Sequence, residues 1–286
     1  MIYYKLTNTN EYNHGSFLKD GFFAIKNFDD EIPINNFDYS SDYAKNNGHD
    51  KIFFRDITNI FDDLYCRDNR YLRHIHLPIT HPKFNLVSNV NGEYWSNMII
   101  LGEKMDLTKV ETFEYLESLG ANINAGNNRA FNWACSGGHL EIIEYLFSKG
   151  INISCCNSLS FNDAIRYGKY EVVKFLINHG MMINSYCFSV ACQSNRTNMV
   201  KLLVDKGVDY KSNINHCFNL VCFYGNLKLV KYLITLDVNI SHDNYKAMRM
   251  AHYNEQMNVV DYLLSMGADK DFLQTSYDEY DDVFNP

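Results

Sequence analysis

Proline is scarce in this sequence, with four in 286 residues, so breaks in helical arrays are few. Positive charge is also short. Lys and Arg number 26 against 34 Asp and Glu, for a net charge of −8. A phosphate-backbone partner needs a basic surface, so no nucleic acid partner is expected. Long apolar runs are missing: Met98–Leu101 is among the longest, far below the ~18–20 residues that span a bilayer. Met1–Asn10 lacks the apolar centre of about 7–15 residues that a secretory signal requires. No membrane association is expected, and the expected location is cytoplasmic. Catalytic signatures are absent too: there is no G-x-S-x-G, P-loop, H-E-x-x-H or kinase set. The expectation is no enzyme and no cofactor. The eight cysteines read as thiols rather than a disulfide framework.

What the chain has is a repeat. From Arg129 to Gly150 it reads as two short helices joined by Gly137-Gly138 and closed by a glycine. Leu140, Ile142, Ile143, Leu146 and Phe147 form an apolar stripe at helical spacing. Closing markers follow at Gly120, Gly150, Gly180, Gly207, Asp237 and Gly267, at intervals of 30, 30, 27, 30 and 30 residues. Sixteen before each marker from Gly150 onwards stand Ala134, Ala164, Ala191, Val221 and Ala251. Nineteen before stand Phe131, Phe161, Phe188, Phe218 and Met248; four before stand Leu146, Leu176, Leu203, Leu233 and Leu263. One helical hairpin per period of this size is the signature of a solenoid.

The segment G-G-H-L-E-I-I-E-Y-L-F-S-K-G-I-N-I from Gly137, with its echoes at Tyr167–Ile177 and Tyr224–Ile234, resembles the second half of an ankyrin repeat. The family's T-P-L-H turn stands here as Arg129-Ala130-Phe131-Asn132, so its threonine–histidine bonding is missing. The period falls about three residues short of the usual ~33, which implies truncated β-fingers and none between Gly180 and Phe188. Y-K-L-T-N at Tyr4–Asn8 and I-I-L-G-E-K-M-D-L at Ile99–Leu107 extend the likeness to ankyrin-repeat paralogues of giant amoeba-infecting DNA viruses. That resemblance implies a viral protein acting in an infected host cell, where such proteins are often adaptors.

Residues 1–104 lack the register and read as a small α+β head. Strands are expected at Tyr3–Leu6, Lys51–Phe54 and Tyr71–Ile79, with Phe84–Val90 as the neighbour of the last. Asp56–Leu64 has the spacing of a short amphipathic helix. Turns are expected around Gly15 and Gly21 within His14–Phe23, and a long polar loop over Asp29–Asp50. Ile99–Gly120 reads as the connection to the array. In it Val110, Phe113, Tyr115 and Leu116 anticipate Leu140, Ile143, Tyr145 and Leu146 thirty residues later, a half-repeat cap. Residues 271–286 form an acidic-aromatic tail, with Phe272 and Leu273 available to cover the last repeat.

Candidate chemistry is sparse. Cys135, Cys192 and Cys222 share one register position, and Cys187 and Cys217 another, which points to packing. Cys155-Cys156 falls in a finger and is expected to be exposed. His74 and His76 point the same way from a strand and could chelate, but no acidic or cysteine partner follows at ligand spacing, so no metal is expected. In the ankyrin family the first-helix positions after the turn face the partner. Carried over to the positions seventeen, fourteen and thirteen before each marker, this singles out Trp133, Asp163, Arg166, Tyr167, Gln193, Phe223, Tyr224 and Tyr253, a ladder rich in interface-type residues.

The expected protein is mainly α: an ankyrin-repeat solenoid of about five repeats plus a half-repeat cap over 105–270, behind the α+β head. Its expected function is protein–protein interaction, as a scaffold or adaptor, by a monomer whose partner is a protein of unknown identity. Two alternatives stay open. One is an enzyme or metal-dependent unit in the head, with the repeats recruiting its substrate. The other is a structural component of a virion.

Overall fold

The computed structural model describes residues 3–8, 12–13, 16–17, 21–24, 52–64, 69–82, 84–88 and 93–274. The expected Asp29–Asp50 loop, part of the His14–Phe23 turns and the tail beyond 274 lie outside the described residues. The chain divides into two compact units, Met1–Phe161 and Asn162–Pro286.

The first unit is built on an antiparallel sheet. Its strands are β1 (Tyr3–Asn8), β4 (Gly21–Ala24), β5 (Ile52–Asp56), β6 (Asn69–His76), β7 (Leu86–Ser88), β8 (Glu93–Ser96) and β9 (Met98–Asp106), in the order β4-β9-β6-β1-β5-β8-β7. The short strands β2 (Tyr12–Asn13) and β3 (Ser16–Phe17) pair with each other. Alternation sets the faces: in β5, Ile52 and Phe54 turn inward while Phe53 is exposed. Ile52, Phe54, Ile75, Ile99 and Leu101 form a core cluster, with Tyr3, Leu77, Leu86 and Tyr94 packed against it.

Three expectations about the head are corrected. Ile99–Leu107 is no connector: Met98–Asp106 is the longest described strand and is paired on both edges, by β4 and β6. Its start, Met98-Ile99-Ile100-Leu101, is a continuous apolar run, so a search for period two passes over it. Asp56–Leu64 is not one amphipathic helix. The strand continues to Asp56, whose Oδ1 accepts from the Asn59 amide at 3.2 Å, and only Ile60–Asp63 forms a 3₁₀ turn. Leu86–Ser88 does not neighbour β6, which pairs with β1 and β9; it forms a local hairpin with β8 at the sheet edge.

The head joins the array through polar and aromatic contacts. Asp106 pairs with Arg70 at 2.7 Å and accepts from the Thr108 amide at 2.9 Å. The Thr112 hydroxyl donates to the Asp106 carbonyl at 2.7 Å, fastening α1 (Val110–Ser118) to the end of β9. Phe113 and Leu116 of α1 are fully buried, as Ile143 and Leu146 are thirty residues later, so α1 is the expected cap. Phe61 of the head stacks on Phe113 with ring centroids 5.3 Å apart, and Phe113 stacks on Trp133 at 6.3 Å. Arg129 donates to the Asp62 carbonyl.

The repeats follow the register. In the first unit α2 (Ala125–Gly137) and α3 (Leu140–Ser148) form a hairpin, and α4 (Ser158–Arg166) begins the next. The second unit carries α5 (Tyr170–Asn178), α6 (Ser185–Gln193), α7 (Thr197–Asp205), α8 (Ile214–Phe223), α9 (Leu227–Ile234), α10 (His242–Tyr253) and α11 (Met257–Ser265). The aromatic or Met position nineteen before each marker, the small position sixteen before and the Leu four before are all buried. Each first helix thus contributes a large and a small side chain to the core, and each second helix a leucine. Phe272 lies 5.3 Å from Tyr245 and is half-buried with Leu273, so these two do flank the last repeat.

The closing markers share a left-handed backbone. At Gly150 φ is 88°, its amide bonds the Phe147 carbonyl at 3.0 Å, and the Ile151 amide bonds the Leu146 carbonyl at 3.2 Å. This is a Schellman ending, which satisfies the last carbonyls of the helix. Asp237 adopts the same conformation at φ 60° without being glycine.

Shortened fingers are seen directly: among the described residues from 107 to 274 there is no strand. A single 3₁₀ turn, Ile153–Cys155, follows Gly150. After Gly180 the chain enters α6 almost at once, with the Asn184 side chain accepting from the Cys187 amide at 3.2 Å. Cys156, expected to be exposed, is 5% exposed, because the short link pulls it into the packing.

Candidate partner-binding face

The position fourteen before each marker is the last residue of every first helix of the second unit: Arg166, Gln193, Phe223 and Tyr253 end α4, α6, α8 and α10. Being terminal, these residues stand at the edge of the packing. Gln193 and Tyr253 are exposed, and Arg166 and Phe223 are half-buried. One residue further on, Tyr167 is 41% exposed and Tyr224 49% exposed. Tyr253, at the helix end itself, is 51% exposed, so three of these four hairpins carry an exposed tyrosine at or just past the end of the first helix.

Local bonds hold the edge in place. Asp163 pairs with Arg166 one helical turn away. Phe223 and Tyr224 meet edge-to-face with centroids 5.3 Å apart. Asn254 donates to the Phe223 carbonyl at 2.8 Å, tying the end of one first helix to the turn of the next hairpin. Such fixed, partly exposed aromatics present large contact area at little entropic cost on binding.

Trp133 does not belong to this face. It is 2% exposed, with its ring 4.5 Å from His139 and stacked on Phe113. Val190 and Met250, at the same register position, are equally buried. Seventeen before the marker falls inside the first helix, whereas in the second unit fourteen before is its end. Asp163 also holds this position and is only half-buried.

Sequence reasoning missed Tyr186, 56% exposed at the first turn of α6, and Leu159, 67% exposed at the first turn of α4. Both stand twenty-one before their marker, and helical spacing of i, i+4 and i+7 from the position carrying Gln193 would have found Tyr186. It also missed a buried polar position eighteen before the marker: Asn132, Asn162, Ser189, Asn219 and Arg249. Asn132 donates to the Cys155 carbonyl at 3.3 Å and accepts from the Asn157 amide at 2.8 Å. Ser189 accepts from Asn213. Asn132 and Ser189 thus bond the link that leads into the next hairpin, in place of the missing threonine–histidine pair. Their role is to build the array.

The other candidates resolve into packing. Cys135, Cys187, Cys192, Cys217 and Cys222 are all buried. Burial pushes the Cys135 and Cys222 thiols up, so neither supplies a thiolate at neutral pH. His74 and His76 lie with ring centroids 4.4 Å apart, and Tyr4 stacks on His74. Burial, then the neighbouring His76, lowers the pKa of His74. Among the described residues no group of three or more His, Cys, Asp or Glu side chains could hold a metal ion. Nor is any described helix long and apolar enough to cross a membrane.

A helical hairpin recurring every thirty residues, closed by a left-handed residue and stacked through a small-residue position, defines a repeat solenoid. A family profile described as "Ankyrin repeats (3 copies)" matches residues 105–187 and 188–273, more than half of the sequence. The chain belongs to the ankyrin-repeat family. Two ankyrin repeat proteins of Acanthamoeba polyphaga mimivirus, R868 and R896, are 34% and 36% identical to it over 142 and 140 residues. Each match covers 49% of this chain, and 64% and 38% of the relatives' own lengths, so the chain spans less than two thirds of either. A third protein of the same virus, R869, is 30% identical over 49% of this chain and 94% of its own length. Repeats of this family are protein-interaction modules.

Proposed function

We propose that the protein is an adaptor or scaffold that binds a partner protein through the first-helix ends of its repeats. The observation that carries this is exposed tyrosine at the first-helix ends of three of the four hairpins of the second unit: Tyr167, Tyr224 and Tyr253, with Gln193 at the end of the first helix between them. Asp163, Arg166, Gln193 and Phe223 stand beside them in the register and complete the proposed face. Trp133 is left out because it is buried. Three mimivirus relatives support a viral protein; in this proposal it acts on host or viral partners, as a monomer in the cytoplasm of an infected cell. In this proposal the chain works as a head (1–104), a binding array (105–270) and an acidic tail (271–286), with no catalytic step.

The test is affinity capture from host-cell lysate with the wild type and with the triple variant Tyr167→Ala, Tyr224→Ala, Tyr253→Ala. Circular dichroism checks that the variant is folded. A protein retained by the wild type and lost by the folded variant is the expected result. Equal retention by both would refute the placement on this face.

A further inference from the structure

We infer that a cleft at the turns of successive hairpins in the second unit is a docking point for an acidic segment of a partner protein. The cleft encloses about 350 Å³ and spans three repeats, from Gly168 and Tyr170 through the start of α7 to Lys228 on α9. Its rim carries two cations, Arg196 and Lys228, and no Asp or Glu lines it. Among the described residues neither cation forms an ion pair. On a chain of net charge −8, a notch lined by positive charge alone marks a site for a negative group.

The guanidinium is held in place. Arg196 Nε donates to the Arg166 carbonyl at 3.1 Å. Its side chain lies across Gly168, where an added Cβ would stand 3.4 Å from Cδ and 3.5 Å from Nε. With Nε committed and the stem resting on a glycine, the two terminal nitrogens remain to meet a carboxylate in the forked geometry that arginine favours. Met199, 2% exposed, and the partly exposed ring of Tyr170 give the cleft apolar surface. A glutamate side chain fits this chemistry: its methylenes lie on the apolar surface and its carboxylate meets the cations. Arg166, whose carbonyl fixes Arg196, is itself in the proposed tyrosine face, so a protein laid along that face can reach the cleft. To that extent the inference rests on the protein-binding reading.

The probe is a fluorescein-labelled hexaglutamate peptide, titrated into the full chain and followed by anisotropy at low ionic strength and at about 0.15 M salt. The variant Arg196→Gln, Lys228→Gln is compared with Lys201→Gln, Lys206→Gln, which removes the same charge elsewhere; Lys201 lies over the Tyr232 ring and Lys206 bonds Asn178. Thermal melts confirm that both are folded. The expected result is binding that the cleft variant weakens by about tenfold and the control variant leaves unchanged. No peptide binding, or equal weakening by both variants, would overturn the inference. So would an outcome in which inorganic phosphate alone binds in an Arg196-dependent way and the peptide does not. The tyrosine variant is not needed for this measurement, so failure here leaves the capture experiment standing, and the reverse holds too.

Discussion

At the scale of single residues, the two ends of each hairpin depend on residues that turn left-handed. For an L-residue with a side chain, that conformation brings Cβ against the following carbonyl and costs roughly 1–2 kcal/mol. Five of the six closing markers are glycine, and the sixth, Asp237, sits at φ 60° on the surface. Asp237→Gly relieves the strain but adds freedom to the unfolded chain. The expected net gain is about 0.5 kcal/mol, read as a higher denaturant midpoint at unchanged slope. Gly150→Ala is the mirror experiment. Nothing lies within 4 Å of a Cβ built there, so its expected loss of about 1 kcal/mol is conformational rather than steric. A loss at Gly150 with no gain at Asp237 would mean that the aspartate side chain makes up for its backbone.

At the scale of elements, the small residue sixteen before each marker sets how closely hairpins approach. Ala164 is fully buried on α4, and a leucine there must displace its neighbours. Ala164→Leu is expected to cost roughly 1–3 kcal/mol, seen as a lower thermal midpoint. An unchanged midpoint would mean that this register position does not lie at the packing surface. The same scale explains what could be read in advance. Hairpins, cap and core positions were legible because each restates one local pattern at a fixed spacing, so Phe131, Ala134 and Leu146 identify their counterparts down the chain. The head was legible only as strands and turns. Whether Leu86–Ser88 pairs with β6 or β8 depends on pairing between distant segments, and periodicity carries no information about it. The candidate face was half legible. Tyr167, Tyr224 and Tyr253 are exposed, as a partner face requires, but helical spacing could not tell a mid-helix position from one at the helix end, and Trp133, singled out for that reason, is buried.

At the scale of the molecule, the first unit makes the head part of the array's end. A solenoid's terminal repeat needs a cover for its apolar side. Here α1 supplies half of that cover, and the stack Phe61–Phe113–Trp133 carries it on into the sheet domain, with Arg129 bonded to the Asp62 carbonyl. Cutting the chain before residue 105 removes Phe61, the Asp62 carbonyl that Arg129 bonds and the Arg70 partner of Asp106. The sequence holds two tryptophans, Trp95 in the head and Trp133 in the array, so fragment 105–286 has Trp133 as its sole emitter, and full-length Trp95→Phe is the matched reference. The expected outcome is red-shifted emission and a lower first melting transition in the fragment, because Phe113 loses Phe61 and Trp133, stacked on Phe113, gains water. If emission and melting are the same in fragment and reference, α1 is a sufficient cap, and the aromatic stack is not what stabilises the array's first hairpin.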